Sequence, residues 1–259
     1  MQRLTLLFIF FPFFLSAQSP YEIDRNKETW ILGLGVATYL NGFILEKRLD
    51  PLSLDDILDL DRSSLSRFDR NATFKFSTKG DQVNDILLYS SFSLPLFFLQ
   101  AHKSRNDFGK ILTLYGETLL TTSGLTYLTK RLAKRARPFV YNELAAISDK
   151  QKVSARFSFF SRHTAVTASN CFFAAKVFSD YYPDSKLKPY VWVTASIVPA
   201  LSGFFRVQAG KHFYSDVVVG YSLGAAVGFL IPHIHKVKKD KRISFYPAPT
   251  GIRITWNIR

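Results

Sequence analysis

Six apolar runs constrain this chain more than any other feature: Trp30–Leu45, Ile86–Ala101, Ile111–Leu128, Thr164–Phe178, Tyr190–Phe205 and Val217–Ile231. None shows the strict alternation of a barrel strand. In hydrocarbon every backbone N–H and C=O must be satisfied inside the protein, so the runs are expected to be helices. Each falls slightly short of the ~20 residues that a spanning helix needs, so flanking polar residues must share the interface. Pro95 and Pro199 are expected to bend their helices. Gly220, Gly224 and Gly228 recur every four residues in the last run, leaving a bare stripe that allows close helix contact. The expected fold class is all-α, an integral membrane bundle of about six helices. No composition break divides the 259 residues into two domains.

The segments around these runs read differently. Residues 1–17, MQRLTLLFIFFPFFLSA, have the charge, apolar stretch and small-residue end of a secretory signal peptide. Within 18–82 the first apolar helix is followed by residues 52–68, where Ser53 and Asp56 stand in capping-box spacing before Leu54, Ile57, Leu58, Leu65 and Phe68. That pattern predicts a short amphipathic helix outside the membrane. The tail, 236–259, is basic at its start and then reads ISFYPAPTGIRITWNI, two short strands about a Pro/Gly turn. Cys171 lies in an apolar run, and a single cysteine forms no internal disulfide, so it is expected to be a small core residue.

The chain has 34 Lys+Arg against 20 Asp+Glu, a formal charge of +14. In a soluble protein such an excess would raise the question of nucleic acid. Here the basic residues flank apolar runs, where anionic headgroups and the positive-inside bias account for them. No nucleic-acid partner is expected, and no protein partner can be inferred. The short connections after Ala101, Phe178 and Ile231 are basic and share one side, which the same bias makes cytoplasmic. A translocated leader would instead put Tyr21 outside and, after six crossings, the opposite loops inside. The conflict disappears if Trp30–Leu45, interrupted by Asn41 and Gly42, does not fully cross. The expected site is external (periplasmic).

Three polar clusters lie between the runs. His212 and Asp216 are four apart, so on a helical stretch they share a face. A carboxylate on one ring nitrogen fixes the tautomer and leaves the other nitrogen free to attack phosphorus. Arg206, six residues earlier, has the planar fork suited to phosphate oxygens. Ser161 and His163 stand before the fourth run, where a hydroxyl and backbone N–H groups at a helix start suit an anion, and His163 suits a general acid. Lys130 and Arg137 are seven apart, two helical turns, which aligns them on one face if the segment is helical. Arg131, Lys134 and Arg135 then fall elsewhere, toward headgroups. A metal centre is the rival use of two histidines and an Asp, but nearby arginines repel a cation and no HExxH spacing occurs. Neither metal nor cofactor is expected. Glu117, inside the third run, is expected to face the bundle interior, either holding helices together or supporting an active-site arginine.

On these residues the chain resembles the type-2 phosphatidic acid phosphatase and vanadium haloperoxidase superfamily. Lys130 with Arg137-Pro138, Ser161 with His163, and Arg206 with His212 and Asp216 match that family's three motifs in spacing and order. The likeness covers roughly residues 83–233, and the expected phosphatase core is 83–235. It implies a six-helix core with His212 as nucleophile, Asp216 as its partner and His163 as acid. Lys130, Ser161, Arg137 and Arg206 would cradle the phosphate, with no metal required. Two positions depart from the pattern: Arg162 replaces the glycine between Ser and His, and Phe205 replaces the serine before the last Arg. Arg162 either adds a cation to the cradle or spoils it, since glycine permits close backbone approach. The expected activity is hydrolysis of a lipid phosphate or pyrophosphate through phosphohistidine. A vanadate-dependent haloperoxidase and a silent lipid-phosphate binder are the alternatives.

Overall fold

The computed structural model describes residues 19–237, 243–248 and 251–256, the last two segments as backbone only. The signal-peptide reading of 1–17 lies outside these residues. Six long helices form the body: α1 Arg25–Glu46, α2 Thr78–Ser91, α3 Phe108–Ala133, α4 Arg162–Tyr181, α5 Lys188–Gln208 and α6 Tyr214–Ile234. The tail forms an antiparallel hairpin, β1 Ile243–Ala248 with β2 Gly251–Trp256, in register Ile243 to Trp256 and Ala248 to Gly251.

The glycine stripe does what its spacing predicts. A Cβ built on Gly220 would stand 2.6 Å from the Ser161 carbonyl oxygen, one on Gly224 2.1 Å from that of Ala165, and one on Gly228 2.3 Å from that of Ser169. Both series advance by four, so α4 and α6 run parallel in backbone contact. At those distances only glycine fits. This contact also places the starts of α4 and α6 side by side, with the Ser161 N–H donating to the Asp216 carbonyl at 3.0 Å.

Helix α1 lies along α3 in the same way, with Gly35 against Leu120, Thr38 against Gly124 and Gly42 against Tyr127. Its 22 residues span about 33 Å at 1.5 Å per residue. It runs the length of the bundle, from Glu28 beside His235 to Glu46, which pairs with Arg131. Asn41 does not interrupt this helix, because its side-chain amide donates to the Ala37 carbonyl at 2.8 Å.

The second run is corrected too. Rather than one bent helix over Ile86–Ala101, α2 starts early, capped by Ser77, and stops at Ser91. A 3₁₀ turn, Leu94–Leu96, and a single helical turn, Phe97–Gln100, follow. Pro95 lacks the N–H and its ring opposes the carbonyl four residues back, so it breaks this helix rather than bending it. By contrast, α5 continues through Pro199. The expected amphipathic helix over 52–68 has its capping box, but it ends at Leu58 and gives way to short turns at Arg62–Ser64 and Arg67–Arg70. The helix-poor DLD stretch after Leu58 ends it. Leu52 and Ile57 pack against Phe139, Val140 and Ala155, so this segment roofs the loop between α3 and α4.

The outer surface is apolar. Trp30 is 74% and Leu34 64% exposed on α1. Helices α5 and α6 are long and apolar enough to cross a membrane, yet only 33% and 28% of their apolar windows are buried. Contiguous exposed apolar surface of this extent suits lipid rather than water. Cys171 is buried in a small cluster with Ala175 and Ala195, as its surroundings in the sequence suggest.

Candidate functional site

The three clusters lie at the same end of the bundle, formed by the last turn of α3, the first turns of α4 and α6, the last turn of α5 and the loop 134–161. Lys134 ends α3 in the left-handed conformation, φ 47°, and reverses the chain. Lys130 and Arg137 therefore do not share a helix face, as the spacing had suggested. Lys130 sits on the helix, and Arg137 returns on extended backbone after it.

Backbone bonds tie the three clusters into one floor. The Phe139 N–H, next to Arg137-Pro138, donates to the Gly210 carbonyl at 2.8 Å, between Arg206 and His212. Gly210 has φ +67°, and a Cβ there would meet the Lys75 carbonyl at 2.3 Å, so this turn requires glycine. The Arg137 N–H donates to Ala155 at 2.8 Å and the Ser158 N–H to Arg135 at 3.0 Å. Lys130 Nζ donates to the carbonyls of Phe157 at 2.6 Å and Ser158 at 3.2 Å, fixing the loop that leads into Ser161. Ser161 caps α4: its Oγ lies 2.9 Å from Thr164 Oγ1 and 3.4 Å from the Thr164 nitrogen.

His212 is 1% and Asp216 0% exposed, and their nearest side-chain atoms, Nδ1 and Oδ2, are 3.6 Å apart. Among the described residues His212 Nδ1 has no hydrogen-bond partner. Asp216 is instead held by three other donors: Arg135 at 2.6 Å, Ser158 Oγ at 2.5 Å and the Phe213 N–H at 2.9 Å. Arg135 also reaches Asp69 at 2.8 Å and Ser215 Oγ at 2.8 Å, and its guanidinium stacks 4.0 Å from the Phe213 ring centroid. Asp69 accepts in turn from the Ser215 N–H and hydroxyl. The expectation that Arg135 meets headgroups is corrected: it is the brace of the His212–Asp216 loop. Arg131 is likewise buried, paired with Glu46 and stacked on Tyr127 and Phe157.

Two acidic residues one turn apart on α2 also face this end. Asp81 pairs with Arg206 and lies 3.7 Å from Lys211, and Asp85 lies 3.4 Å from His163 Nε2. Arg162 is exposed at the rim, next in sequence to His163.

The charges at this end also act on one another's protonation. Burial first, and then the charges of Lys130, Arg206 and Arg137 and the ring of His163, hold His212 well below the ordinary histidine range. Burial and the cations Arg206, Arg162, Arg137 and Lys130 push His163, which precedes the apolar run, down to about 2. Burial and Arg206 bring the Arg137 guanidinium down to about 9, against the pull of Asp81 and Asp216. Clustered cations depress one another's protonation, and an anion among them relieves that strain.

Arg135, Asp69, Ser158, Asp81 and Asp85 were not singled out from the sequence. The signal for Asp81 and Asp85 was their four-residue spacing just ahead of an apolar run. Arg135 was hidden by its place in a run of five basic residues, where nothing local marks which one turns inward. A 560 Å³ apolar cavity lies elsewhere, toward the far end of the bundle, between Leu94, Phe98, Cys171 and Val191.

The chain is similar to known proteins over this region. It is 37% identical over 59 residues to phosphatidylglycerophosphatase B of Bacillus subtilis (strain 168), a stretch of 22% of this chain and 29% of that protein. The match thus spans under a third of the relative's length. A crystal structure titled as the first transmembrane PAP2 type phosphatidylglycerolphosphate phosphatase from Bacillus subtilis aligns with TM-score 0.49 and 24% identity, over 80% of this chain and 98% of that one. The sequence profile of the PAP2 superfamily matches residues 111–240, half of the chain and every one of the three clusters. With Lys130, His163 and His212 inside that match, the chain belongs to the PAP2 superfamily.

Proposed function

We propose that the protein is a membrane phosphatase that hydrolyses a lipid phosphate or pyrophosphate through a phosphohistidine intermediate. What supports this reading is that Lys130, Arg137, Arg206, His163 and His212 lie at one end of an apolar bundle, their segments tied by the Phe139–Gly210 and Ser161–Asp216 backbone bonds. Phosphoryl transfer asks chiefly for charge stabilisation and positioning, and three fixed cations supply both. His212 attacks phosphorus, forming the P–N bond as the P–O bond to the lipid breaks. His163 gives its proton to the departing oxygen. Water, deprotonated by His163, then attacks the phosphohistidine and releases inorganic phosphate. Ser161 and the start of α4 hold an equatorial oxygen. Asp216, braced by Arg135, keeps the 3.6 Å approach to His212 and supports the charge that develops on its ring.

Asp81 pairs with Arg206, and Asp85 lies 3.4 Å from His163. A phosphate must displace these carboxylates, which selects for a dianionic headgroup over a weakly charged one. The apolar outer belt favours substrates with lipid tails. Phosphatidic acid, phosphatidylglycerol phosphate, isoprenyl pyrophosphate and lipid A phosphates share that chemistry, and the B. subtilis relative's name favours the second.

The proposed catalytic side is external. Because α1 runs the full bundle, a translocated leader and an external site pull in opposite directions. The basic connections beside Lys103, Arg105, Lys186, Lys188 and Lys236 favour the external site. Tyr21 and Lys236 form a β-bridge, so Tyr21 lies on the same face as these connections. A fluorescent green-fluorescent-protein fusion at the C-terminus supports this orientation, and an active alkaline phosphatase fusion there reverses it.

Phosphate release by purified protein across a panel of those four lipids tests the activity itself. Turnover of one or more, abolished in His212→Ala, supports the reading. Binding without turnover would select the silent binder, and halide oxidation with added vanadate the haloperoxidase.

A further inference from the structure

At the end of the bundle away from the clusters, a second group of ionisable side chains is buried. Glu28 comes from the first turn of α1, Glu117 from the interior of α3, and His235 from the residue that ends α6. Helix α6 separates this group from Asp216 by about 28 Å, the rise from Asp216 to His235 at 1.5 Å per residue. Glu117 and His235 are 0% and 1% exposed, and Glu28 is 8% exposed. Glu117 is thus inside the bundle as expected, but it supports no active-site arginine, being at the wrong end.

The partners do not add up as an ordinary network. His235 Nδ1 lies 2.7 Å from the Ile231 carbonyl, which only accepts, so Nδ1 carries the proton. A protonated ring would offer a single Nε2–H to two carboxylates, and in the neutral ring Nε2 bears a lone pair. That lone pair faces Glu28 Oε1 at 3.3 Å and Glu117 Oε2 at 3.5 Å, both electron-rich. Among the described residues, His235 Nε2, Glu28 Oε2 and both oxygens of Glu117 have no hydrogen-bond partner. Among the described residues Glu28 Oε1 accepts a hydrogen bond from the Asp24 N–H at 3.2 Å. Unpaired buried carboxylates are costly, and helix-interior ones most of all.

We infer that Glu28, Glu117 and His235 form a binding site for a divalent first-row transition-metal ion that fastens α1 and α6 to α3. One ligand atom from each residue lies within 4.8 Å of the others. Tetrahedral ligands at metal distances of about 2.0–2.2 Å are about 3.3–3.6 Å apart, which matches the 3.3 and 3.5 Å separations from the imidazole nitrogen. An imidazole whose other nitrogen donates to a backbone carbonyl is the usual oriented histidine ligand. Lys27 stands nearby, but its ammonium donates to the Ile234 carbonyl at 3.1 Å rather than to either carboxylate. The three residues come from widely separated parts of the chain, so a bound ion links the first helix to the last.

The test uses full-length protein in detergent, stripped with a chelator and titrated with zinc chloride, and in parallel with manganese(II) chloride, against a chromophoric competitor. One equivalent of either ion per chain is expected, with a rise in melting temperature. Glu117→Gln and His235→Ala should each weaken binding at least 100-fold, whereas His212→Ala should bind as wild type. No binding of either ion by wild type overturns the site, as does binding undiminished in both variants. If those variants do not fold, zinc-soaked crystals of the wild type decide: an anomalous peak between Glu117 and His235 supports the site, and its absence there refutes it.

Discussion

Arg135→Ala gives the sharpest mutational test of how the site is assembled. Arg135 makes bonds of 2.6 Å to Asp216 and 2.8 Å to Asp69, both carboxylates almost wholly buried. Removing it leaves two buried charges without their cation. A hydrogen bond to a charged group contributes about 1.5–3 kcal/mol, and breaking a fully buried ion pair costs about 3–5 kcal/mol. The Arg135 side chain is 27% exposed, so water replaces part of what is lost. We therefore expect a destabilisation of about 2–3 kcal/mol, or roughly 5–10 °C in melting temperature. Asp216 then loses the brace that aims it at His212, and kcat should fall about 100-fold, equivalent to about 2.7 kcal/mol in the barrier. KM should change little, because Arg135 does not reach the cradle. Asp69 supplies a pH signature. Burial raises its carboxyl, but Ser215 and Arg135 outweigh that and hold it below the ordinary range. A depressed folded-state value stabilises the protein above the unfolded aspartate pKa of about 3.9, and that contribution fades as pH falls through the depressed value. The variant should show a shallower loss on the acid side. Lys134→Ala, on an exposed neighbour, is the control and should alter neither quantity. Wild-type kcat and melting temperature in Arg135→Ala would refute the brace.

Three further outcomes follow from the same geometry. Phosphate binding should be coupled to proton uptake at His163, since the anion offsets the cations that hold its ring neutral. Calorimetry in buffers of differing ionisation enthalpy should register close to one proton near neutral pH, and none in His163→Gln. Arg162→Gly should leave turnover of the lipid phosphate undiminished, because the side chain is exposed at the rim and every other cradle position remains. A large loss would show that Arg162 itself holds substrate. Gly224→Ala forces a Cβ to within 2.1 Å of the Ala165 carbonyl, so α4 and α6 must separate. Overpacking of that kind costs about 1–3 kcal/mol, and a melting temperature equal to wild type would contradict the close contact.

Much of this architecture was legible in the sequence because the helices state it locally. The stripe Gly220, Gly224 and Gly228 announces a close partner, and the apolar runs announce lipid-facing helices. Three polar clusters in fixed order sufficed to nominate the site residues. What could not be read is how non-helical backbone brings them together. The left-handed turn at Lys134, the Gly210 turn and the link from Phe139 to Gly210 depend on contacts between distant segments. For the same reason Arg135 looked like one more surface cation beside Lys134, although one turns inward and the other does not. Which of the two prolines, Pro95 or Pro199, breaks its helix is not marked in the local sequence. His235 drew no notice because its partners, Glu28 and Glu117, are over 100 residues away.

The most direct measurement is a rapid-quench experiment with lipid substrate labelled with ³²P in the terminal phosphate. An acid-labile, base-stable label should appear on the protein within one turnover and map to His212. It should be absent in His212→Ala and should persist longer in His163→Gln, whose side chain cannot activate water. Turnover without any protein-bound phosphate, or a label on another residue, would contradict the account.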